Sequence, residues 1–408
     1  MAKRYKAFIV SHTHWDREWY LPFQLYRMKL VKLIEKLFNV LEGDPRFRSF
    51  TLDGQTIVVG DYLDIRPERE GDLKRFVKEG RILIGPWYIL PDEFLVSGEA
   101  TIRNLMLGHR IAEEFGGVMK VGYIPDPFGH ISQMPQILRG FGIDSCVLWR
   151  GLNDEGKTLP TEFYWQAPDG SKVLTVHLRI GYCNAANLPE KSEEALKRVE
   201  ALLRALAPSA STSNVLLMNG CDHLEPQPFL PALIEALNRE IKDAHLVQGN
   251  LMEYIQTVRE EASELPTITG EQRSHRYALL LPGVLSTRMY IKQENAKSQT
   301  LLERWAEPFS AFAWTLGKDY PRAFLWRAWR YLLENHPHDS ICGCSVDQVH
   351  RENLTRFQWC QQIANEITDQ SLKNVIENIN TGESDATSFI VIFNPLGWLL
   401  TEAVQIGL

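Results

Sequence analysis

The sequence predicts an α/β fold in which a parallel sheet has enough strands to approach a barrel, followed by a bundle of three helices. Three observations lead there. Short apolar runs alternate with helix-period segments up to about residue 265. Strand-like runs then stop, and after about residue 285 three long helical segments follow one another. The polar residues cluster at the ends of the apolar runs, where parallel α/β folds gather their function.

The apolar runs are "KAFIV" (6–10), "FTL" (50–52), "ILIG" (82–85), "VGYI" (121–124), "CVLW" (146–149), "VLTVHL" (173–178), "VLLM" (215–218) and "HLVQ" (245–248). Each is short and bounded by turn or helix signals, as strands buried on both faces are. Between them, "LYRMKLVKLIEKLFNVLEG" (25–43) repeats its apolar residues at intervals of three and four and stops at Gly43. The segments 290–317, 323–335 and 346–379 read as the three consecutive helices. The expected divisions are an α/β domain over 1–268, a helical domain over 269–382, and a β-like segment over 383–408 that starts a further domain and stops short.

Composition narrows the function. The chain has 408 residues, 44% hydrophobic and 23% charged, with a formal net charge of -7. These are the proportions of a globular protein with room for two domains. No Lys/Arg block is present, which argues against a nucleic-acid partner. The N-terminal apolar stretch is too short for a signal peptide or membrane span, so no membrane partner is expected. The six Cys form neither a disulfide framework nor a four-Cys zinc site, and their scatter suits a reducing cytoplasm. A homo-oligomer is left open.

The ends of the apolar runs carry unusual chemistry. The first is followed by "SHTHWD", the second by Asp53, the third by "GPWYILPDE", the fourth by "PDPFGH" with Asp126, the fifth by Arg150, and "VLLM" by "NGCDH" with Asp222. Each alone is satisfied by a turn or a helix cap; six at one rim are harder to explain so. His14 and Asp16 offer an imidazole and a carboxylate of the kind that binds Zn²⁺. The loop "NHPHDS" brings His336 and His338 as a second source of imidazole, and Asp126 adds another carboxylate. His12 reads as a neighbour of such a site or as the last inward residue of its strand. Asp126 and Asp222, on different strands, could serve as the two carboxylates of glycoside hydrolysis. Trp15, Trp19, Trp87 and Trp149 lie near strand ends, and aromatic faces stack on sugar rings. A core role for each remains the ordinary alternative.

These pieces together resemble glycoside hydrolase family 38, the zinc-dependent retaining α-mannosidases, in its bacterial branch. The matching motifs are "HTHWDREW" (12–19), "LDGQT" (52–56), "GPWYILPDE" (85–93), "GYIPDPFGHISQMPQIL" (122–138), "GCDH" (220–223) and "NHPHDSICGC" (335–344), in family order. "FNPLGW" (393–398) resembles the opening of the family's C-terminal β-sandwich region. The resemblance implies a (β/α)7-type barrel-like catalytic domain, a three-helix bundle and later β domains. It implies one Zn²⁺ per chain held by His14, Asp16, Asp126 and His338, with Asp126 also the nucleophile and Asp222 the general acid/base. Trp19 would stack on the sugar, Asp339 would bond its hydroxyls, and Arg150 would lie near the nucleophile; Trp87 is a further substrate-binding candidate. His336 is not implied as a ligand. The expected substrate is a mannoside or oligosaccharide. Two other readings stand beside this one: a zinc-dependent sugar deacetylase, in which no glycosyl-enzyme forms, and a truncated mannose-binding fragment without activity.

Overall fold

The computed structural model describes residues 4–382, 386 and 388–404. Two compact units are present, Met1–Thr287 with His336–Val349 and Arg288–Asn335 with His350–Leu408. The segment bearing His338 therefore returns to the first unit after the chain has left it.

The first unit contains strands β1 (Tyr5–Thr13), β2 (Phe50–Leu52), β3 (Ile82–Leu83), β4 (Gly122–Ile124), β5 (Ser145–Leu148), β6 (Glu162–Gln166), β7 (Lys172–His177), β8 (Asn214–Asn219), β9 (Ala244–Gly249) and β10 (Thr267–Thr269). All eight expected strands are present. Their hydrogen bonds form two five-stranded sheets, β3-β2-β1-β8 with β9 also on β1, and β10-β6-β7-β5-β4. Among the described residues the ladders do not join the sheets into a ring. Every pairing is parallel except β6 with β7. That exception is a hairpin across the "APDGS" turn, and β6 and β10 are the two strands that apolar runs did not reveal.

β1 is the organising strand. β8 pairs with it over Lys6–Ser11 and β9 over Tyr5–Val10, which occupies both of its edges. β2 pairs only with His12 and Thr13, beyond the end of β9. β1 is buried along all but its first two residues, which is why residues 7–10 are apolar without alternation. Phe8 and Val10 of β1 pack in one buried cluster with Leu216 and Met218 of β8, Tyr123 of β4, Val147 of β5 and Val176 of β7. The two sheets thus share a core although their ladders are separate. Gly220 permits the close approach past the end of β8, because a Cβ there would lie 1.9 Å from the His12 carbonyl oxygen.

Helix Phe23–Gly43 buries Tyr26, Leu30, Leu33, Ile34, Leu37, Phe38 and Leu41, the apolar stripe its spacing predicts. Helix Gly98–Phe115 begins with the Ser97 side chain accepting from the Ala100 N–H and ends at Gly116, whose φ of 117° closes the turn. The second unit holds helices Met289–Thr300, Glu307–Thr315 and Arg322–Leu333 and most of Asp347–Glu377. The wider turns of Leu301–Ala306 join the first two. The expected β segment gives no strand among its described residues, 386 and 388–404; its remaining positions lie outside the described residues. No helix among the described residues is long and apolar enough to cross a membrane.

Candidate active site

Parallel strands end at one rim, and the chain places a polar group within three residues of the end of five of them. His14 and Asp16 follow β1, Asp53 follows β2, Asp126 follows β4, Arg150 follows β5 and Asp222 follows β8. An isolated parallel bridge between His14 and Asp222 extends the β1–β8 ladder to the rim. His338 and Asp339 reach the same unit on the returning segment, where the Asp92 N–H donates to the His336 carbonyl at 2.9 Å and the Ser340 hydroxyl to Glu18 at 2.7 Å.

Four side chains converge. His14 Nε2 lies 3.1 Å from Asp16 Oδ1 and 3.9 Å from Asp126 Oδ2. His338 Nε2 lies 3.4 Å from Asp16 Oδ1 and 3.3 Å from Asp126 Oδ2. All four residues are at least nine-tenths buried. Burial opposes charge on His14 most strongly, yet Asp53 and Asp16 outweigh it and raise its pKa well above the ordinary imidazole value. His338 is raised in the same way, burial being overcome by Asp339, Asp126 and Asp16. For Asp126, burial alone would raise the pKa, but His338 and Arg150 hold it below the usual carboxylate range.

This donor set fits a divalent cation. Both Nε2 atoms are buried and have no well-directed hydrogen-bond partner, although carboxylate oxygens surround them. Two imidazoles and two carboxylates are the ligand types that Zn²⁺ prefers. The His14 ring is oriented for that role, since Nδ1 donates to Asp53 Oδ1 at 3.0 Å and leaves Nε2 facing inward. Asp53 is fixed in turn by the Trp15 N–H at 2.7 Å and Gln55 Nε2 at 2.9 Å on its other oxygen. It stands at a φ of 52°, a left-handed turn that Asp tolerates better than most residues.

The remaining expected residues divide. Arg150 Nε donates to Asp126 Oδ1 at 2.7 Å, so it does lie beside the proposed nucleophile, and its other end reaches the Leu279 carbonyl. Asp339 lies within 3.9 Å of His338 Nε2, accepts from the Cys344 thiol at 3.1 Å, and has its pKa pushed up to about 8 by burial and then by Asp16. Asp222 accepts from the Tyr182 hydroxyl at 2.9 Å. Trp19 is half-buried, with its ring against Tyr20. Trp87 is not on the wall of the site. It is fully buried in the core cluster with Leu90 and Ile124, and its Nε1 donates to the Tyr123 carbonyl at 3.1 Å, so no face is free for a sugar.

Three features escaped the sequence. Asp53 was visible as a polar strand end, but its bond to His14 was not. Phe128, in "PDPFGH", packs its ring edge-on to His338 at 5.3 Å. Cys183 and Cys221 are joined by a disulfide, a single bond in a chain whose cysteine pattern suggested no disulfide framework. They are 38 residues apart, and no spacing rule connects them.

A buried pair of imidazoles among carboxylates at the strand ends of a parallel sheet defines an α/β protein with a centre suited to a divalent metal. Comparison with known proteins makes the class specific. Residues 4–272 match the glycosyl hydrolases family 38 N-terminal domain, and residues 280–375 match the alpha mannosidase middle domain. The chain belongs to glycosyl hydrolase family 38. A protein of Halalkalibacterium halodurans provisionally named a mannosylglycerate hydrolase is 41% identical over 92% of this chain and 43% of its own length. Human alpha-mannosidase 2C1 is 24% identical over 97% of this chain and 37% of its own. The crystal structure of an alpha-mannosidase from Enterococcus faecalis V583 superposes with a TM-score of 0.89 at 38% identity, covering 93% of this chain and 43% of that one. The chain thus spans less than half the length of these relatives.

Proposed function

We propose that the chain carries the catalytic centre of a retaining, exo-acting α-mannosidase that releases terminal α-linked mannose from oligosaccharides or small mannosides. Mannosylglycerate is one such small substrate, in keeping with the name of the 41%-identical relative. The observation that carries the reading is the setting of Asp126. One of its oxygens is held by Arg150 at 2.7 Å, and the other faces His338 Nε2 at 3.3 Å. Both contacts favour the ionised carboxylate, the form a nucleophile needs.

In this reading His14, Asp16, Asp126 and His338 would hold one Zn²⁺, whose positive charge would favour binding of the sugar's hydroxyls and offset the charge of the carboxylates. Asp126 attacks the anomeric carbon and forms a mannosyl-enzyme ester. Asp222, on a different strand and oriented by Tyr182, gives a proton to the leaving oxygen and later takes one from water. Trp19 stacks on the ring, and Asp339 bonds its hydroxyls. Residues 1–268 then form the catalytic domain, helped by the returning segment, and 269–382 form the helical domain.

A linkage-defined panel of mannosides, mannosylglycerate and N-acetylated sugars tests the proposal with the 408-residue chain. Mannose release is expected, with the α-anomer appearing first by NMR. Release of β-mannose first would overturn the covalent route, and release of acetate with mannosides untouched would select a deacetylase.

A further inference from the structure

We propose that Cys183 and Cys221 form a reversible redox site that governs how Asp222 is held; the catalytic consequence rests on the reading of Asp222 as the acid/base residue. The disulfide lies beside the active rim. Cys221 immediately precedes Asp222, and its carbonyl accepts the His14 N–H at 3.1 Å. Cys183 immediately follows Tyr182, the residue whose hydroxyl donates to Asp222 Oδ1 at 2.9 Å. One covalent bond therefore ties the donor's backbone to the acceptor's. Both cysteines are half-buried and not sealed in the core, so a small thiol can reach them.

The bond is not what docks this loop. Asn184 Oδ1 accepts from the Met218 N–H at 2.7 Å, the Ala185 N–H donates to the Met218 carbonyl at 3.0 Å, and Asn219 Nδ2 donates to the Ala185 carbonyl at 2.9 Å. The His12 ring also donates to the Tyr182 carbonyl at 2.9 Å. With these contacts in place, reduction changes the site locally and leaves the fold standing.

That change has two parts. Sulfur atoms that are no longer bonded cannot remain at bonding distance, so both side chains must turn apart, and Tyr182 and Asp222 are their direct neighbours. Cys221 Sγ lies 4.0 Å from Asp222 Oδ1, the oxygen that Tyr182 already serves. As half of a disulfide this sulfur has no proton to offer; as a thiol it becomes a second donor to that oxygen. The exchange balances with a dithiol reductant. The protein S–S bond breaks, two electrons and two protons pass to Cys183 and Cys221, and the reductant closes its own disulfide.

The test equilibrates the chain in buffers of reduced and oxidised dithiothreitol and maps the cysteines by alkylation and peptide mass. The pair should interconvert fully, with the four other cysteines unchanged. Hydrogen exchange should rise at residues 181–184 and 220–223 on reduction. Hydrolysis of an alkyl mannoside, whose leaving group needs a proton, should fall by about tenfold on reduction, a part of the roughly 10²–10⁴-fold that general acid catalysis supplies. The kcat/KM for an activated dinitrophenyl mannoside, which reports only formation of the mannosyl-enzyme, should change by less than about twofold. A Cys183→Ala/Cys221→Ala double variant should give the same rates with and without reductant, which separates the pair from any effect of reductant on a bound metal. Equal leaving-group dependence in both redox states, or a pair that never oxidises, would overturn the proposal. If no mannoside is cleaved, the α-mannosidase reading fails, and hydrogen exchange alone then decides, with identical exchange in the two states rejecting the link.

Discussion

Two segments of the rim carry the same spacing of histidines, His12-x-His14 at the end of β1 and His336-x-His338 on the returning loop, and in each only the second enters the site. All four are almost fully buried. The first of each pair loses basicity, His12 to about 4 and His336 to about 3, with burial the leading cause. The second of each pair gains it, because carboxylates face it: Asp53 and Asp16 for His14, and Asp339, Asp126 and Asp16 for His338. Residue type, spacing and burial are the same, so the surrounding acids alone separate a candidate ligand from a structural imidazole. In β1 the pleat turns residues two apart to the same face, so position along the strand separates the two. His12 sits in the ladder with Thr51 and donates back to Tyr182, whereas His14 stands one step past the β2 pairing and is turned by Asp53.

The largest expected effect tests whether the carboxylates differ as the imidazoles do. Asp126→Asn should abolish mannosyl-enzyme formation and lower kcat by more than about 10⁴-fold, as loss of a nucleophile does. Asp222→Asn should cost about 10²–10⁴-fold on substrates with poor leaving groups while still forming the intermediate from an activated mannosyl fluoride. Intact-protein mass spectrometry with a slow fluorinated donor separates the two, and an adduct on Asp222 would reverse the roles.

The histidine pairs give the next effect. His338→Ala should weaken zinc binding by more than about 100-fold, beyond the loss seen when only a ligand's supporting partner is changed. His336→Ala should keep one zinc per chain and lose only stability. Elemental analysis after dialysis against a weak chelator reads both, and equal metal content in the two variants would erase the distinction drawn above. Asp53→Asn comes below these. It keeps the side-chain shape but weakens the acceptor for His14 Nδ1, so zinc affinity should fall by about 10–100-fold, measured by competition with a chromogenic chelator.

Much of this was legible in the sequence because the relevant signals are local. The eight apolar runs became strands, since a strand buried on both faces leaves a continuous apolar trace. β6 and β10 left no such trace: β6 carries Glu162 and Gln166 among its aromatics, and β10 is three residues of partly exposed Thr and Ile. The "APDGS" turn between β6 and β7 was an available hairpin signal. His14, Asp16, Asp126 and His338 were readable as strand-end and loop polar residues, and the structure brings these four side chains together. The burial of Trp87, the bond from Asp53 to His14 and the Cys183–Cys221 bond were not readable, because each depends on which distant segment folds against it.

The last test concerns a histidine at the end of β7, outside the proposed metal cluster, and asks whether neutral burial alone behaves as it does at His12 and His336. His177 ends β7, is 6% exposed, and donates from Nε2 to the Trp149 carbonyl at 3.0 Å. Burial first, and then Arg179, lower its pKa from 6.5 to about 4. The unfolded chain therefore takes up a proton at His177 as pH falls below about 6.5, while the folded chain does not until about pH 4. The contribution to stability is complete above pH 6.5 and is lost progressively between those values. It amounts to about 3 kcal/mol at most, since each pH unit in the interval is worth about 1.4 kcal/mol. His177→Gln keeps a donor for the Trp149 carbonyl and removes the titration. Urea unfolding from pH 7 to pH 4.5 should then show a shallower loss of stability than in the unmodified chain, with the two curves converging as the pH falls. Parallel curves would mean that His177 titrates alike in the folded and the unfolded chain, and that burial does not by itself keep an imidazole neutral here.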